Sequence, residues 1–556
     1  MDMDAEAPQA AAASRSRLTS TGRVVAAASV GTVFEWYDFA LYGSLAAVLA
    51  KKFFAGVDPT TGFIFALLTF AAGFIMRPFG AVVFGRIGDM VGRKKTFLIT
   101  IVIMGLSTVG VGFLPDYGTV GIAAPITLVS LRMLQGLALG GEYGGAAIYV
   151  AEHSPPGRRG LNTSWIVSTG TLGLLLSFGL ILLARALTGD AFEDWGWRLP
   201  FVFSLPMLAM SVWIRRQMDE SPSFQMLKAK QRLSRAPLSE ALLDRANLKR
   251  IMLAFGLCAG QTCVYYAAAL YPTFFLTQVL KVDPTQVNTM VVFATIAAIP
   301  FFALVGWLCD RIGRRPVLIA AYLLSLCAYL PVYHAFTHNA NRALEAAQER
   351  NPVVVEADPQ GCSFLFNPVG TRKFTNPCDI ARQALASSGV SYSVAERPGA
   401  TAVVRVGGRT VDAYDANGLP TAEAGAKAAA FNAALRAQLD AAGYPAKADP
   451  KDFNAPMIFL LLLVPMILAI ASITPIPALL VELFPTRIRY TSMSVPYHFA
   501  AGWIGGLLPT VIFALSTLNG NIYFGLWYPI AWTALSLVVC LVFLKETKDV
   551  DINADL

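Results

Sequence analysis

Gly85-Arg86-Ile87-Gly88-Asp89-Met90-Val91-Gly92-Arg93-Lys94-Lys95 returns, altered, as Gly306-Trp307-Leu308-Cys309-Asp310-Arg311-Ile312-Gly313-Arg314-Arg315-Pro316. Gly, Asp, Gly and Arg stand at 85, 89, 92 and 93 and again at 306, 310, 313 and 314, every pair 221 residues apart. A single Gly-x-x-x-Asp-x-x-Gly-Arg carries little weight. Two copies at one offset, each between long apolar runs, indicate a duplicated membrane unit. A second pair extends the repeat: Glu152, Pro155 and Arg159 match Glu482, Pro485 and Arg489, now 330 apart. The offset has widened from 221 to 330, so 109 extra residues lie between Arg314 and Glu482.

Of the 556 residues, 55% are hydrophobic and only 14% charged, and the mean hydropathy is +0.54. Soluble domains carry about 25% charged residues. So much apolar surface does not fit one aqueous core, and the chain is expected to be an integral membrane protein. The net charge of +8 does not indicate nucleic acid. The positive residues lie in loops between apolar segments, which is an orientation pattern. Residues 1–22 hold no apolar stretch resembling a cleavable signal and are expected as a disordered cytoplasmic tail.

A helix needs about 20 mostly apolar residues to span a bilayer. Twelve such segments are expected: 23–50, 62–85, 96–114, 121–151, 163–187, 197–214, 250–279, 287–308, 316–336, 456–481, 491–517 and 524–544. They divide into an N-terminal six-helix bundle (23–214) and a C-terminal one (250–336 and 456–544), joined by a polar linker, 215–249. Basic residues crowd the N-terminal tail, the loops 86–95, 153–162, 215–250, 309–315 and 482–490, and the tail 545–556. The opposite short loops carry Lys51, Lys52, Arg198 and Lys281. By the positive-inside rule both termini and the linker face the cytoplasm. An all-α, multi-pass protein of the plasma (inner) membrane is therefore expected, with residues 337–455 inserted on the far side.

That insertion reads as a small α+β or irregular domain. Thr401–Val411 alternates and is broken by Gly407-Gly408, which suggests a hairpin. Thr421–Ala442 places Ala429, Phe431, Leu435 and Leu439 near helical spacing, with Gly443 as the stop. Cys362 and Cys378 lie in the part expected in an oxidising compartment, where cysteines tend to pair, so a disulfide between them is expected. The other five cysteines lie in or beside apolar segments and read as small buried hydrophobes.

Ionisable groups inside membrane helices are costly and mark function by default. Glu35 and Asp38, at i and i+3, lie on one side of the first helix. Glu35 sits 12 residues from its cytoplasmic end, about 18 Å in, near mid-bilayer. Arg132 and Gln135 share a face of the fourth helix, and Arg132 lies about 15 Å from its outer end. A carboxyl in a low dielectric holds its proton more tightly, so either acid suits a proton carrier. An arginine stays charged and binds carboxylates in a bidentate manner. Arg132 is therefore the first candidate for an anionic substrate, the alternative being an ion pair that braces helices one and four. Arg77 is a second candidate, or a brace before Pro78. Glu142 either joins this chemistry or hydrogen-bonds across a close packing that Gly140, Gly141, Gly144 and Gly145 permit. In the second half the polar groups Gln261, Thr262, Tyr265, Tyr266, Tyr271, Tyr497 and His498 are expected to shape the site, with Gln261, Tyr265, Tyr497 and His498 on the substrate, and with His498 otherwise a proton relay or a hydrogen-bonded packing residue. Asp89, Arg93 and Glu152, and likewise Asp310, Arg314 and Glu482, are expected to form charge clusters that latch one conformation, with Gly85 and Gly92 shaping the first.

Those repeated motifs resemble the signature of the major facilitator superfamily. Phe34-Glu35-Trp36-Tyr37-Asp38-Phe39, Arg77-Pro78-Phe79-Gly80-Ala81, Arg132-x-x-Gln135-Gly136 and Pro485-Thr486-Arg487-Ile488-Arg489 resemble its metabolite:proton symporter branch. That branch includes carriers of proline and betaine, 2-oxoglutarate, citrate and shikimate. The resemblance implies two six-helix bundles rocking around a central site, no cofactor besides the proton gradient, and a small organic acid or zwitterion as substrate. The insertion departs from that pattern. It leaves open a cap, or a docking site for a partner in a sensor, and proton-driven efflux remains the other alternative to uptake. A monomer in the bilayer is expected. Enzyme activity is not: the chain lacks a phosphate-binding Gly-Lys-Ser/Thr loop, a Gly-x-Ser-x-Gly elbow and a metal cluster of suitable spacing.

Overall fold

The computed structural model describes residues 21–56, 59–363 and 374–555. Most of the expected N-terminal tail, residues 1–20, falls outside them. Among the described residues, the two halves outside the insertion are built on twelve helical segments. In the first half these are α1 (Thr21–Phe53), α2 (Pro59–Val91), α3 (Arg93–Phe113), α4 (Ala123–Glu152), α5 (Arg159–Thr188) and α6 (Arg198–Gln217). In the second they are α7 (Arg245–Ala269), α8 (Pro284–Ile312), α9 (Arg314–Ala340), α10 (Ala455–Ile473), α11 (Arg489–Phe499, resuming as Leu508–Asn519) and α12 (Trp527–Val542). Ten stretches of the described chain are long and apolar enough to cross a membrane. The other two long helices, α2 and α6, pack within the first bundle, α2 against α4 and α6 against α3.

The second half is more broken than the first. α7 is followed by Tyr271–Phe274 and a π-helical turn, Phe275–Val279. Pro475 interrupts α10 before Ile476–Leu483, and a π-helical turn, Ala500–Gly505, interrupts α11. A membrane helix tolerates such breaks where the freed backbone groups are buried in protein or face a polar cavity.

The repeated motif is not a loop, as the sequence suggested, but two helix ends. Residues 85–91 finish α2 and Arg93 opens α3, so Gly92 alone breaks the helix, at φ +125°. Gly313 does the same between α8 and α9 at φ +105°. A side chain there would meet more than backbone strain. A Cβ on Gly92 would lie 2.3 Å from Glu220 Oε2, and one on Gly313 would lie 2.2 Å from Glu546 Oε2. These acids cap the following helices. Glu220 accepts from the amides of Arg93 (3.0 Å) and Lys94 (3.1 Å), and Glu546 from those of Arg314 (2.9 Å) and Arg315 (3.0 Å). Each supplies negative charge where a helix start leaves N–H groups unpaired.

The linker differs from expectation at its start. Arg215 belongs to α6 and is buried, because α6 runs on to Gln217. Two short helices follow, Pro222–Ala229 and Pro237–Leu243.

The insertion folds as a small α+β unit. A helix, Arg342–Arg350, leads into a four-stranded sheet of β1 (Val353–Ala357), β2 (Tyr392–Glu396), β3 (Val403–Val406) and β4 (Arg409–Asp412), in the order β2-β1-β3-β4. β1 and β2 run parallel, joined through the helix Pro377–Ser387, while β3 and β4 form the hairpin around Gly407-Gly408. The helix Thr421–Ala441 buries Phe431, Leu435 and Leu439. Ala429, expected on that face, is exposed instead. Cys362 and Cys378 are joined by a disulfide.

This unit is seated on the second bundle. Tyr392 donates its amide to Gly520 O (2.7 Å) and its hydroxyl to Thr517 O. Lys281 Nζ donates to Ser387 O (2.9 Å), and the Ala448 amide to Lys281 O (3.1 Å). The apolar cores run together, with Tyr271, Phe275 and Leu280 in the same buried cluster as Val353, Val355 and Leu385.

Candidate binding cavity and charged face

Between the two bundles lies a narrow cavity lined from both halves. The first half contributes Thr32, Glu35 and Trp36 from α1, Arg77 from α2, Tyr143 from α4 and Ile166 and Val167 from α5. The second contributes Gln261, Thr262, Tyr265 and Tyr266 from α7, Ile473 from α10, and Tyr497 and Ala501 around the break in α11.

Glu35 and Asp38 part company here. Residues at i and i+3 are about 60° apart around a helix axis. That is close enough to share a side and far enough to meet different neighbours. Glu35 lines the cavity, 3.5 Å from Arg77. Asp38 instead meets α3 and α4. Its Oδ2 takes Arg132 at 2.7 Å, and its Oδ1 accepts from Thr108 Oγ1 (2.8 Å) and Gln135 Nε2 (3.0 Å). Gln135 also accepts from Arg132 at 3.1 Å, and the guanidinium lies 4.1 Å from the Tyr42 ring centroid. Asp38, Arg132 and Gln135 are each at most 1% exposed. Arg132 and Gln135, expected in the substrate site, are thus bound up inside the first bundle, off the cavity wall. Their shared helix face was legible, but the depth of Asp38 between α1, α3 and α4 was not.

Arg77, the second candidate, does line the cavity. Its guanidinium rests 4.7 Å from the Phe74 ring centroid, and its Nε has no hydrogen-bond partner. α2 approaches α4 backbone to backbone. A Cβ on Gly136 would lie 2.1 Å from Gly73 O, and one on Gly140 would lie 2.3 Å from Arg77 O. Small residues permit such contact between membrane helices. That contact fixes the position of the Arg77 backbone.

Gln261, Tyr265 and Tyr497 do line the cavity. Tyr497 stacks on Tyr143 across the two halves, with ring centroids 4.0 Å apart and planes 7° from parallel. His498 does not line it. It packs edge-on to Tyr497 at 5.1 Å, buried, with neither ring nitrogen hydrogen-bonded. Tyr266 lines the cavity as well, as the second-half polar groups were expected to, whereas Trp36 and Tyr143 of the first half escaped the sequence reading as cavity residues, since aromatic residues recur throughout the apolar segments.

Glu142 is bound to Arg215 and also accepts from Thr100 Oγ1 at 2.9 Å. Arg215 Nη1 donates to Phe97 O at 2.6 Å, and its guanidinium lies 3.4 Å from the Phe97 ring centroid. This is a second sealed acid–arginine pair. Arg215 escaped notice because it opens a basic run.

The charged face, which carries the repeated motifs, is fastened across the halves in two matching ways. Asp89 accepts from the amides of Tyr490 (3.1 Å) and Thr491 (2.9 Å), at the start of α11. Asp310 accepts from the amides of Gly160 and Leu161, both 2.8 Å, at the start of α5. Each carboxylate thus serves the unpaired N–H groups opening a helix of the opposite half. Around them, Glu152 pairs with Arg489 at 2.6 Å and lies 3.9 Å from Arg93. Glu482 pairs with Arg314 at 3.0 Å and lies 3.6 Å from Arg159. Arg159 and Arg489 were visible in the repeat at offset 330, but nothing in the sequence says that they reach across.

Comparison with known proteins agrees with this architecture. The family model for "Sugar (and other) transporter" matches residues 24–246 and 430–554, and a model for "MFS/sugar transport protein" matches 145–352. The chain is 36% identical over 320 residues to the proline/betaine transporter of Escherichia coli (strain K12), covering 55% of this chain and 64% of that protein. It is 37% identical over 325 residues to the shikimate transporter of the same organism, covering 57% of this chain and 73% of that protein. The alignment thus spans less than two thirds of the proline/betaine transporter. Among solved structures, the proton:xylose symporter XylE bound to 6-bromo-6-deoxy-D-glucose shares the fold. The TM-score is 0.62 at 16% identity, over 96% of this chain and 98% of that one. The chain belongs to the sugar and metabolite transporter family of the major facilitator superfamily.

Proposed function

We propose that this protein is a secondary active transporter that takes up a small carboxylate or zwitterion together with protons by alternating access. One observation carries the reading: among the described residues one acid–arginine pair, Glu35 with Arg77, faces the cavity between the halves, while two other such pairs are sealed away from it.

The chemistry follows from sharing. Arg77 has one carboxylate beside it, at a separation longer than an ordinary charge-assisted hydrogen bond of about 2.8 Å. A substrate carboxylate competes with Glu35 for the same guanidinium. A proton on Glu35 removes that competitor, so proton and substrate favour each other's binding. This is the reciprocal coupling that symport requires. When both leave on the other side, Glu35 re-pairs with Arg77 and the empty site returns neutral. The tyrosines and Trp36 offer ring faces to an apolar or cationic substrate body, while Gln261 and Thr262 offer hydrogen bonds. The relatives named for proline, betaine and shikimate fit such a site.

The Asp89, Asp310, Glu152 and Glu482 contacts act as the latch of the state that is closed on the charged face. In this reading that face is cytoplasmic, the insertion lies outside, and one chain suffices for the cycle. Rocking the bundles breaks the latch and opens the cavity inward.

Purified protein in liposomes with an imposed proton gradient tests the site against proline, betaine, shikimate, 2-oxoglutarate and citrate. The parent accumulates at least one of them, faster at acid outside pH. Glu35→Gln keeps exchange of that substrate but loses gradient-driven accumulation, and Arg77→Ala loses both. Undiminished, pH-dependent accumulation by both variants would reject the site. Accumulation only in inverted vesicles would make the protein an exporter.

A further inference from the structure

The segment 550–555, past the end of α12, is the least expected part of the charged face. It carries no motif and lies beyond the last membrane helix, yet it touches both halves. Val550 O accepts from Arg159 Nη1 at 2.8 Å, and Ile552 O accepts from Arg489 Nη2 at 2.6 Å. Asp555 accepts from the Thr486 amide at 2.7 Å and from its hydroxyl at 3.1 Å. Asn553 Oδ1 accepts from Ser223 Oγ, in the short helix after α6, at 2.7 Å. Ile552 is 5% exposed and belongs to the buried apolar cluster that runs through the second bundle and reaches into the first.

We infer that residues 550–555 are a strap that positions the two cross-half arginines, Arg159 and Arg489, and so sets how firmly the charged face stays shut. This rests on the latch described under the proposed function.

A long guanidinium at a boundary between moving bodies must be aimed. Arg489 is aimed by three acceptors: Phe484 O (3.1 Å) in its own half, Glu152 (2.6 Å) in the other, and Ile552 O in the strap. Arg159 has Val550 O as its closer acceptor, since Glu482 lies at 3.6 Å. Removing a carbonyl strands a buried, charged N–H, so the strap stabilises the state in which both arginines point across.

The strap is tied to the second half by Ile552, by Asp555 on Thr486, and through Thr547, whose hydroxyl donates to Glu482 at 2.7 Å. Its tie to the first half is the Arg159 contact, while Ser223 Oγ ties it to the linker helix Pro222–Ala229. Glu220, three residues before Ser223, caps α3 of the first half, so opening of the charged face pulls on both contacts while the strap travels with the second bundle.

Accessibility of a cysteine at Thr32, a cavity-lining position, reads the balance directly. The Cys327→Ser background removes the exposed free thiol. An impermeant maleimide is applied to the full-length protein from each side of the membrane, without substrate. Ser223→Ala, Asn553→Ala and Asp555→Ala are each expected to raise the ratio of charged-face to opposite-face labelling at least threefold. Asp555→Glu restores the parent ratio, and Asp549→Asn, outside these contacts, leaves it unchanged. An unmoved ratio in all three alanine variants overturns the strap, as does an Asp549→Asn effect equal to that of Asp555→Ala. Ser223→Ala removes a single hydroxyl, so it keeps the test decisive if a strap variant fails to fold. No substrate enters the assay. A null result therefore rejects the strap and leaves the transport site standing, whereas loss of the transport reading is seen only in uptake.

Discussion

Two acids one helical turn apart on α1 have acquired opposite environments. Glu35 faces the cavity and shares one arginine at 3.5 Å, while Asp38 is enclosed by Arg132, Gln135 and Thr108 with three contacts of 3.0 Å or less. Both are acid–arginine pairs whose acid stands on the same helix. What separates them is the number of protein partners and the access to water. Charges already satisfied by protein hold helices together, whereas charges with spare capacity beside a cavity can exchange partners with a ligand.

The largest effect expected from this contrast is on folding. Arg132→Ala leaves Asp38 buried without its countercharge, a loss of about 3–5 kcal/mol. Thermal unfolding in detergent shows a strongly lowered midpoint for Arg132→Ala and a near-parental one for Arg77→Ala. Asp38→Asn, combined with Arg132→Ala, recovers part of the loss. If Arg77→Ala proves the less stable of the two, the roles of the pairs are reversed.

A smaller effect sharpens the link between packing and site. Gly140→Val adds bulk where a Cβ already lies 2.3 Å from Arg77 O. Overpacking costs about 1–3 kcal/mol. Displacement of α2 moves Arg77 but not Asp38, so KM should rise several-fold while the stability loss stays below that of Arg132→Ala. An unchanged KM would show that the α2–α4 contact does not position the arginine.

The smallest expected effect concerns Glu546, a carboxylate capping α9 outside the membrane. Burial opposes its charge, but the amides of Arg314, Lys548, Arg315 and Thr547 outweigh that and hold its pKa below the ordinary carboxylate value. A depressed pKa contributes stability that is present above the unfolded-state pKa and is lost as pH falls through the folded one. Glu546→Gln should therefore lower the thermal midpoint slightly at neutral pH, and the gap to the parent should close on acidification. A gap that widens in acid would contradict the cap.

Much of this protein was legible in the chain alone. The duplicated motif, the length of the apolar segments and the jump in offset from 221 to 330 were enough to identify two six-helix bundles and a large insertion. These features are local or periodic: a helix must satisfy its own backbone in lipid, and a repeat keeps its spacing. The hairpin at Gly407-Gly408 and the helix ending before Gly443 were legible for the same reason. Partner choice belonged to the tertiary structure. Whether Asp38 or Glu35 meets the cavity depends on a rotation of about 60° around α1 and on which helices lie behind it. That Arg77 rather than Arg132 reaches the cavity depends on α2 and α4 touching at Gly136 and Gly140. That Asp89 caps α11, Asp310 caps α5 and the strap holds two arginines depends on elements hundreds of residues apart. A sequence shows which charges must be satisfied in oil. Only the packed bundles decide which partner is near enough to satisfy each one.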